Sequence, residues 1–530
     1  MSSTQVKNIT DSFSRRSFLS ASGALLATAA LAACSEQALP VGFITSADPQ
    51  VGAYEAQLVS TGRRVSQTFM PMAQTVDLGG VTAKTWAFGN EPVGPEVRLS
   101  AGDRLVATVN NMLPAQTSIH WHGVALRNDM DGVPRLTQPA IAAGSKFTYD
   151  AVIPDPGTYW YHSHVGTQLD RGLSGPLIVE DPHEPLKYDD EWVIVLKDWV
   201  DGITGTPDDV LKELSRGMGG TSTSAPMPSM SGMESSTTPS PSMGGTAGSG
   251  GMKYMLTGAT SALLGGDAGD VKYPFYLING RTARDPKVFT GKPGARVRLR
   301  IINTGGDTAF RFAVGGHKLT VTHTDGYPIM ATEADALLLG NGERYDALIT
   351  LKDGVFPIMA LAEGKKQRAM AIIRTGAGTV PALDAAMPEF TGRIPMAWDL
   401  KPTDAGRLPA KKVDRVIRMN LTGSMGKYDW GIDGRRFNAM SVSSNRFGIK
   451  KNERVRLEWK NTTAMWHPMH LHGHTFELDG SGTRKDTVIV LPHTTMKINF
   501  DAVNPGVWAY HCHNSYHLSS GMMGSVSYEV

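Results

Sequence analysis

Near its C-terminus the chain reads HCHNSYHLSSGMM, residues 511–523, with one of only two cysteines set between two histidines. A buried structural cysteine has no use for imidazole on both sides, whereas a metal ligand does. Ten of the fifteen histidines fall in four short clusters. These are HWHG (His120, His122), HSH (His162, His164), HPMHLHG (His467, His470, His472) and HCHNSYH (His511, His513, His517). Each cluster contains a pair two residues apart, and on a β-strand such a pair points to one face. Four pairs can therefore aim eight imidazoles at one place, provided the strand ends meet. Two clusters lie early in the chain and two late, so the site requires the two ends of the protein to come together.

Cys512 lies between His511 and His513 and so points to the opposite face, where it can ligate a different metal. His467, His517 and Met522 can complete that second site. A thiolate, two imidazoles and a weak thioether make the ligand set of a blue copper centre. The peptide bonds flanking Cys512 then join both sites by a short covalent route for electrons. Zinc would favour a closed tetrahedron of fewer ligands without an axial thioether. His183, His317, His323, His474 and His493 have no ligand partner at motif spacing and read as structural.

The elements that must position these residues are strands. Short segments rich in Val, Ile and Thr, divided by many of the 58 glycines and 31 prolines, indicate an all-β chain. The segments GDRLVATVNN, GARVRLRIINT and NERVRLEWKNT repeat one alternating pattern ending in Asn. They mark three similar domains, at about 65–183, 188–380 and 413–530. Residues 381–412 read as a linker. Residues of about 215–255 form a Gly/Ser/Thr/Pro/Met insertion that cannot bury a core and is expected to be disordered. A length of 530 residues suits several domains, and a net charge of +2 gives no reason to expect a nucleic-acid partner.

Residues 1–34 read as a targeting segment. SRRSFLS, with Arg15 and Arg16, resembles a twin-arginine export signal, and LAAC, ending at Cys34, resembles a lipobox. The expectation is export by the twin-arginine machinery and a lipid anchor on Cys34 at the outer face of the membrane. Cys512 would then have no disulfide partner in the chain.

The four histidine motifs, in this order at opposite ends of the chain, resemble those of the multicopper oxidases. HWHG, NDMDGVP, YLINGR and THTDGYP are most similar to bacterial copper-resistance oxidases and their lipoprotein relatives. The resemblance implies three cupredoxin-like Greek-key β-barrel domains and four copper ions. A type 1 copper would take His467, Cys512, His517 and Met522, and a type 2 copper His120 and His470. A type 3 pair would take His122, His162, His164, His472, His511 and His513. The reaction implied is one-electron oxidation of a donor at the type 1 copper, coupled to four-electron reduction of O2 to water at the other three. Asp131, eleven residues after His120, resembles the family's proton-passing carboxylate near the type 2 copper. The second such carboxylate is missing, because Asn514, Ser515, Tyr516 and Leu518 occupy its positions.

The electron donor expected is Cu(I), or another reducing metal ion such as Fe(II), in copper detoxification. Met465 lies where copper-oxidising relatives place an outer methionine, although Thr463 replaces the acidic residue expected two positions earlier. Met227, Met230 and Met233 in the insertion offer soft thioethers that select Cu(I). The alternatives are a laccase acting on phenols and a copper-sequestering envelope protein. Storage would not require an O2-reducing histidine set.

Overall fold

In the computed structural model, the described residues are 42–218, 252–438 and 445–530. The repeated strands occupy the same topological place three times. Arg104–Asn110 lies between Arg64–Phe69, paired parallel, and Lys146–Val152, paired antiparallel. Arg296–Asn303 lies likewise between Asp190–Trp199 and Arg344–Thr350. Arg454–Asn461 lies between Arg415–Thr422 and Thr495–Asp501. A second sheet completes each domain, and in the first domain its strand order is Val97–Ser100, Ser174–Glu180, Gly157–His162, His120–His122. The inner faces of the two sheets meet in one core, with Leu105, Ala107 and Val109 from one and Trp121, Tyr159 and Leu177 from the other. The exposure pattern of Arg104–Asn110 alternates residue by residue, as one buried sheet face requires.

The asparagine that closes each repeat clamps a loop. Asn111, Asn303 and Asn461 are all buried. Each Oδ1 accepts the main-chain N–H two residues on, from Leu113, Gly305 and Thr463. Each Nδ2 donates to two carbonyls, those of Ala115 and Ile141, of Thr308 and Leu339, and of Met465 and Val490. No apolar residue can fill this role, because the loop would be left with buried unpaired carbonyls. Asn461→Ala is expected to cost about 1–3 kcal/mol. It should lower the melting temperature and disturb the visible spectrum, since the loop it holds leads into His467. An unchanged melting temperature would contradict the clamp.

Residues 381–412 carry two single-turn helices, Pro388–Thr391 and Ala397–Asp399, and bury Phe390, Ala397, Leu400 and Leu408. Arg311 Nη1 donates to the Phe390 carbonyl at 2.6 Å, so this connection packs on the middle domain. The insertion methionines Met227, Met230 and Met233, and Arg15, Arg16 and Cys34, lie outside the described residues.

Candidate metal centre

The strand pairing brings the histidine clusters together two by two. His120–His122 runs antiparallel to Gly157–His162 with His120 opposite His162. His467–Leu471 runs antiparallel to Val507–Cys512 with His470 opposite His511. The two pairs then interdigitate across the first and third domains. The His120 ring stacks on His472 and the His122 ring on His470, each at 3.8 Å between centroids. Two glycines permit this approach. At Gly123 (φ +86°) a Cβ would stand 2.5 Å from Arg344 Nη2 and from Asp486 Oδ2. At Gly132 (φ +84°) it would collide with the Ile119 carbonyl, and only glycine lets the Asp131 turn lie against the strand of His120.

The outer nitrogens of these rings are tied down, and of the inner ones those of His472 and His511 face each other at 3.0 Å. Nδ1 of His120 bonds the Asp131 carbonyl at 2.8 Å, that of His162 the Ser163 carbonyl at 2.9 Å, and that of His470 the Asp486 carbonyl at 2.9 Å. Nδ1 of His472 bonds Asp131 Oδ2 at 3.0 Å and that of His511 the Cys512 carbonyl at 2.9 Å. An acceptor on Nδ1 fixes the proton there and leaves the Nε2 lone pair to a metal. Nε2 of His120, His162 and His470 is buried without a protein partner. His122 is turned the other way, with Nε2 on Asp486 Oδ1 at 3.1 Å and Nδ1 unpartnered. Both nitrogens of His513 are unpartnered. Burial, reinforced by the neighbouring histidines, holds His122, His162, His164, His472, His511 and His513 well below the ordinary imidazole value. They are therefore neutral, the form that ligates. His120, His470 and His472 can share one ion, and so can His164, His472 and His511.

Cys512 faces the other way. Its Sγ lies 3.7 Å from His467 Nδ1 and 3.5 Å from His517 Nδ1, and those two nitrogens are 3.1 Å apart. Three ligands around one ion with bonds of about 2.0–2.3 Å stand roughly 3.5 Å apart, so the triangle fits a metal. Here too the far nitrogens are held. His467 Nε2 meets Thr463 Oγ1 at 2.9 Å, and His517 Nε2 meets Asp270 Oδ2 at 3.0 Å. Burial opposes a charged His517, but Asp270 and then Cys512 lift it to about 10, so a metal binding there displaces a proton. Met522 is fully buried, and its main chain bonds Cys512 N and the His517 carbonyl. The donors of both sites fit copper: neutral imidazoles around the larger site, and thiolate with imidazole at the smaller.

Several residues of the site carry no motif. Asp486 is fully buried at the start of a strand with no histidine in it. Burial alone would raise it, but Arg344 holds it well below the usual carboxylate range through bonds of 2.7 and 2.6 Å. Asp325 of THTDGYP anchors that strand by accepting from the Asp486 and Thr487 N–H groups. Arg344→Met would leave the buried Asp486 without its counter-charge, at a cost of about 3–5 kcal/mol. Lower thermal stability with reduced copper retention is expected, and wild-type values of both would contradict the role. Asp270 comes from the middle domain and also accepts from Tyr428 at 2.7 Å. Met465 is 3 % exposed and packed in the core, so it offers no thioether to solvent. The remaining buried histidines have structural partners: His474 meets Tyr528 Oη at 2.7 Å, and His317 Nε2 accepts the Lys352 N–H.

Comparison with known proteins adds a lineage to this geometry. Family models described as multicopper oxidase match residues 71–184, 253–378 and 411–530. The chain is 44% identical over 524 residues to multicopper oxidase MmcO of Mycobacterium tuberculosis, covering 97% of each. It is 28% identical to a copper resistance protein A homolog of Pseudomonas syringae pv. tomato, over 82% of this chain and 87% of the other. Among solved structures, Fet3p, a multicopper oxidase that functions in iron import, superposes with a TM-score of 0.69 at 21% identity, over 88% of this chain and 90% of that one. The laccase from Botrytis aclada gives a TM-score of 0.69 at 24% identity, over 89% of each.

Proposed function

The chain belongs to the multicopper oxidases, and on that premise we propose that it oxidises Cu(I), and secondarily Fe(II), at the Cys512 site while reducing O2 at the eight-histidine face between the first and third domains. His467, Cys512, His517 and Met522 are assigned to the type 1 copper, and His120 and His470 to type 2. His122, His162, His164, His472, His511 and His513 are assigned to the type 3 pair. Bound copper would accept electrons singly at the first site and pass them to the other three ions, where O2 becomes water.

The protein's own residues make that chemistry specific. Val507–Cys512 carries the thiol and His511 on one strand, with His513 the next residue, so one peptide unit separates Cys512 from each histidine of the pair. Asp131, between His120 Nδ1 at 3.2 Å and His472 Nδ1 at 3.0 Å, is assigned as a proton-passing carboxylate. Trp430 lies over His517 with ring centroids 4.3 Å apart, and Asp270 and Tyr428 close the remaining edge.

That roof supports a metal ion as donor. His467 and His517 are fully buried, so a phenol finds no imidazole edge to stack on among the described residues. The ends of the methionine-rich insertion flank the roof. Met218 N donates to the Met425 carbonyl, within the turn that presents Tyr428 and Trp430. Dioxygen uptake with Cu(I), Fe(II) and a phenol, measured side by side, tests this reading. Cu(I) should be fastest and the phenol slowest. A fast phenol with slow Cu(I) favours a laccase, and copper uptake without O2 consumption favours sequestration.

For location, the proposal is twin-arginine export and a lipid anchor on Cys34 at the outer face of the membrane. Arg15→Lys with Arg16→Lys should leave the protein in the cytoplasm. Cys34→Ala should release it from the membrane with unchanged specific activity. A wild-type protein recovered soluble, with no lipid on Cys34, would contradict the anchor.

A further inference from the structure

Dioxygen reduction consumes protons, and the positions after Cys512 that could hold a second carboxylate hold none. Asn514 is the cap of the short helix Ser515–Ser520, with its side chain accepting from the Tyr516 and His517 N–H groups, so it cannot be an acid that gives protons. Next to that helix lies a cavity of about 240 Å³, lined among others by His162, His164, His511, His513, Ser515 and Ser519. It opens onto the histidine face, and neither Asp131 nor any other carboxylate is among its lining residues.

A carboxylate stands one layer behind this wall. Asp170 follows the HSH motif in the single turn Gln168–Asp170 and is fully buried. Its Oδ2 accepts from Tyr273 Oη at 2.9 Å and from the hydroxyl of Tyr516. Its Oδ1 has no protein partner. That oxygen points at Gly306, where a Cβ would come within 2.4 Å of it. The Gly306 carbonyl accepts the Ser515 N–H at 2.7 Å, which seats Ser515 on the same loop. Ser515 is 1 % exposed and its Oγ also lacks a partner. Two unsatisfied buried groups thus flank one glycine, between the cavity wall and a carboxyl. Buried polar atoms are rarely left unpaired without a reason.

We propose that Asp170 is the second proton donor of the oxidase reaction and that the Ser515 hydroxyl relays its proton into the histidine cavity. This rests on the reading of that face as O2-reducing. Neither Asp170 Oδ1 nor Ser515 Oγ bonds the other directly, so in each transfer the Asp170 carboxyl gives the proton on Oδ1 to a bridging water as that water gives one to Ser515 Oγ and the Ser515 hydroxyl gives its own to water in the cavity. The carboxylate is reprotonated through the same cavity between turnovers, and the electrons come from the oxidised donor.

Burial is the main cause that favours a protonated Asp170. Burial pushes it well above the usual carboxylate range and Asp198 adds to this, while Lys197, Tyr516 and Tyr273 pull the other way. Lys197 spends its ammonium on the Leu169 and Thr304 carbonyls at 2.9 and 3.2 Å. Asp198 is committed to the N–H groups of Gly306, Asp307 and Thr308, and Asp307 to Lys365 and Asn514. Asp170 is the member of this group with an oxygen left over. A local acid of this kind matters at neutral pH, where free hydronium is scarce.

Asp170→Asn keeps the shape and removes the transferable proton, and Ser515→Ala removes the relay alone. Both should keep wild-type copper content and visible absorption. O2 uptake at saturating Cu(I) should fall on the order of 10- to 100-fold at pH 7 in each and recover towards wild type as the pH is lowered. Asp170→Glu and Ser515→Thr should restore most of the rate. Infrared spectra of the copper-free full-length protein at neutral pH should show a protonated-carboxyl band that vanishes in Asp170→Asn and persists in Ser515→Ala. Wild-type rates in Ser515→Ala and Asp170→Asn overturn the route, as does a loss of rate independent of pH, or an infrared spectrum that Asp170→Asn leaves unchanged. If Asp170→Asn does not fold, Ser515→Ala decides alone. A wild-type protein that consumes no O2 overturns the oxidase reading itself, and the infrared band then shows whether Asp170 holds its proton regardless.

Discussion

Cys512→Ser is expected to abolish the blue absorption and reduce oxidase activity with every donor to background. The visible band of a copper–thiolate centre arises from charge transfer from sulfur, and a serine oxygen supplies neither that transition nor a soft ligand. The substitution is nearly isosteric in a fully buried position, so the sheet around it should survive. The larger histidine face draws no ligand from Cys512 and its imidazoles are tied by their own acceptors, so most of its copper should remain. Copper analysis together with the visible spectrum reads all three outcomes. Activity at the wild-type rate would mean that electrons do not enter through this cysteine.

Removal of residues 218–252 should act on the donor rather than on the electron path. Every proposed copper ligand lies outside this segment. Its two ends emerge beside the roof of the Cys512 site, where Met218 N donates to the Met425 carbonyl and Leu256 N to the Asp270 carbonyl. On the proposed reading, thioethers tethered there would raise the local concentration of Cu(I) and screen the site from bulky organics. The deletion is expected to cut Cu(I) oxidation roughly tenfold at low Cu(I), while phenol oxidation stays level or rises. Changing Met227, Met230 and Met233 together to Ser should shift both rates the same way, more weakly. Initial rates at several Cu(I) concentrations provide the check. Unchanged Cu(I) kinetics would reduce the segment to a connection.

Much of this was legible in the sequence, because the legible part is periodic. Histidines two apart on strands share a face whatever the surroundings, and alternating burial marks a strand from its own residues. The repeated terminal asparagine was visible as a letter, but its task was not, since the carbonyls it holds lie up to 36 residues away. Asp486, Asp270 and Arg344 were missed for a similar reason. Asp270 reaches His517 across 247 residues, and Arg344 reaches Asp486 across 142. No local spacing encodes a carboxylate supplied by another domain. Thr463, which stands where an acid was expected, does a different job by holding His467 Nε2 through its hydroxyl. Met465 matched by position, yet the packing of its loop turns it into the core.

The stoichiometry of the reaction tests the account most directly. With Cu(I) as donor and a copper-loaded wild-type protein, an oxygen electrode should record one O2 consumed for every four Cu(I) oxidised, and addition of catalase should return no O2. Release of O2 by catalase, or two Cu(I) oxidised per O2, would show that reduction stops at peroxide, and the histidine face would then not be the four-electron site described.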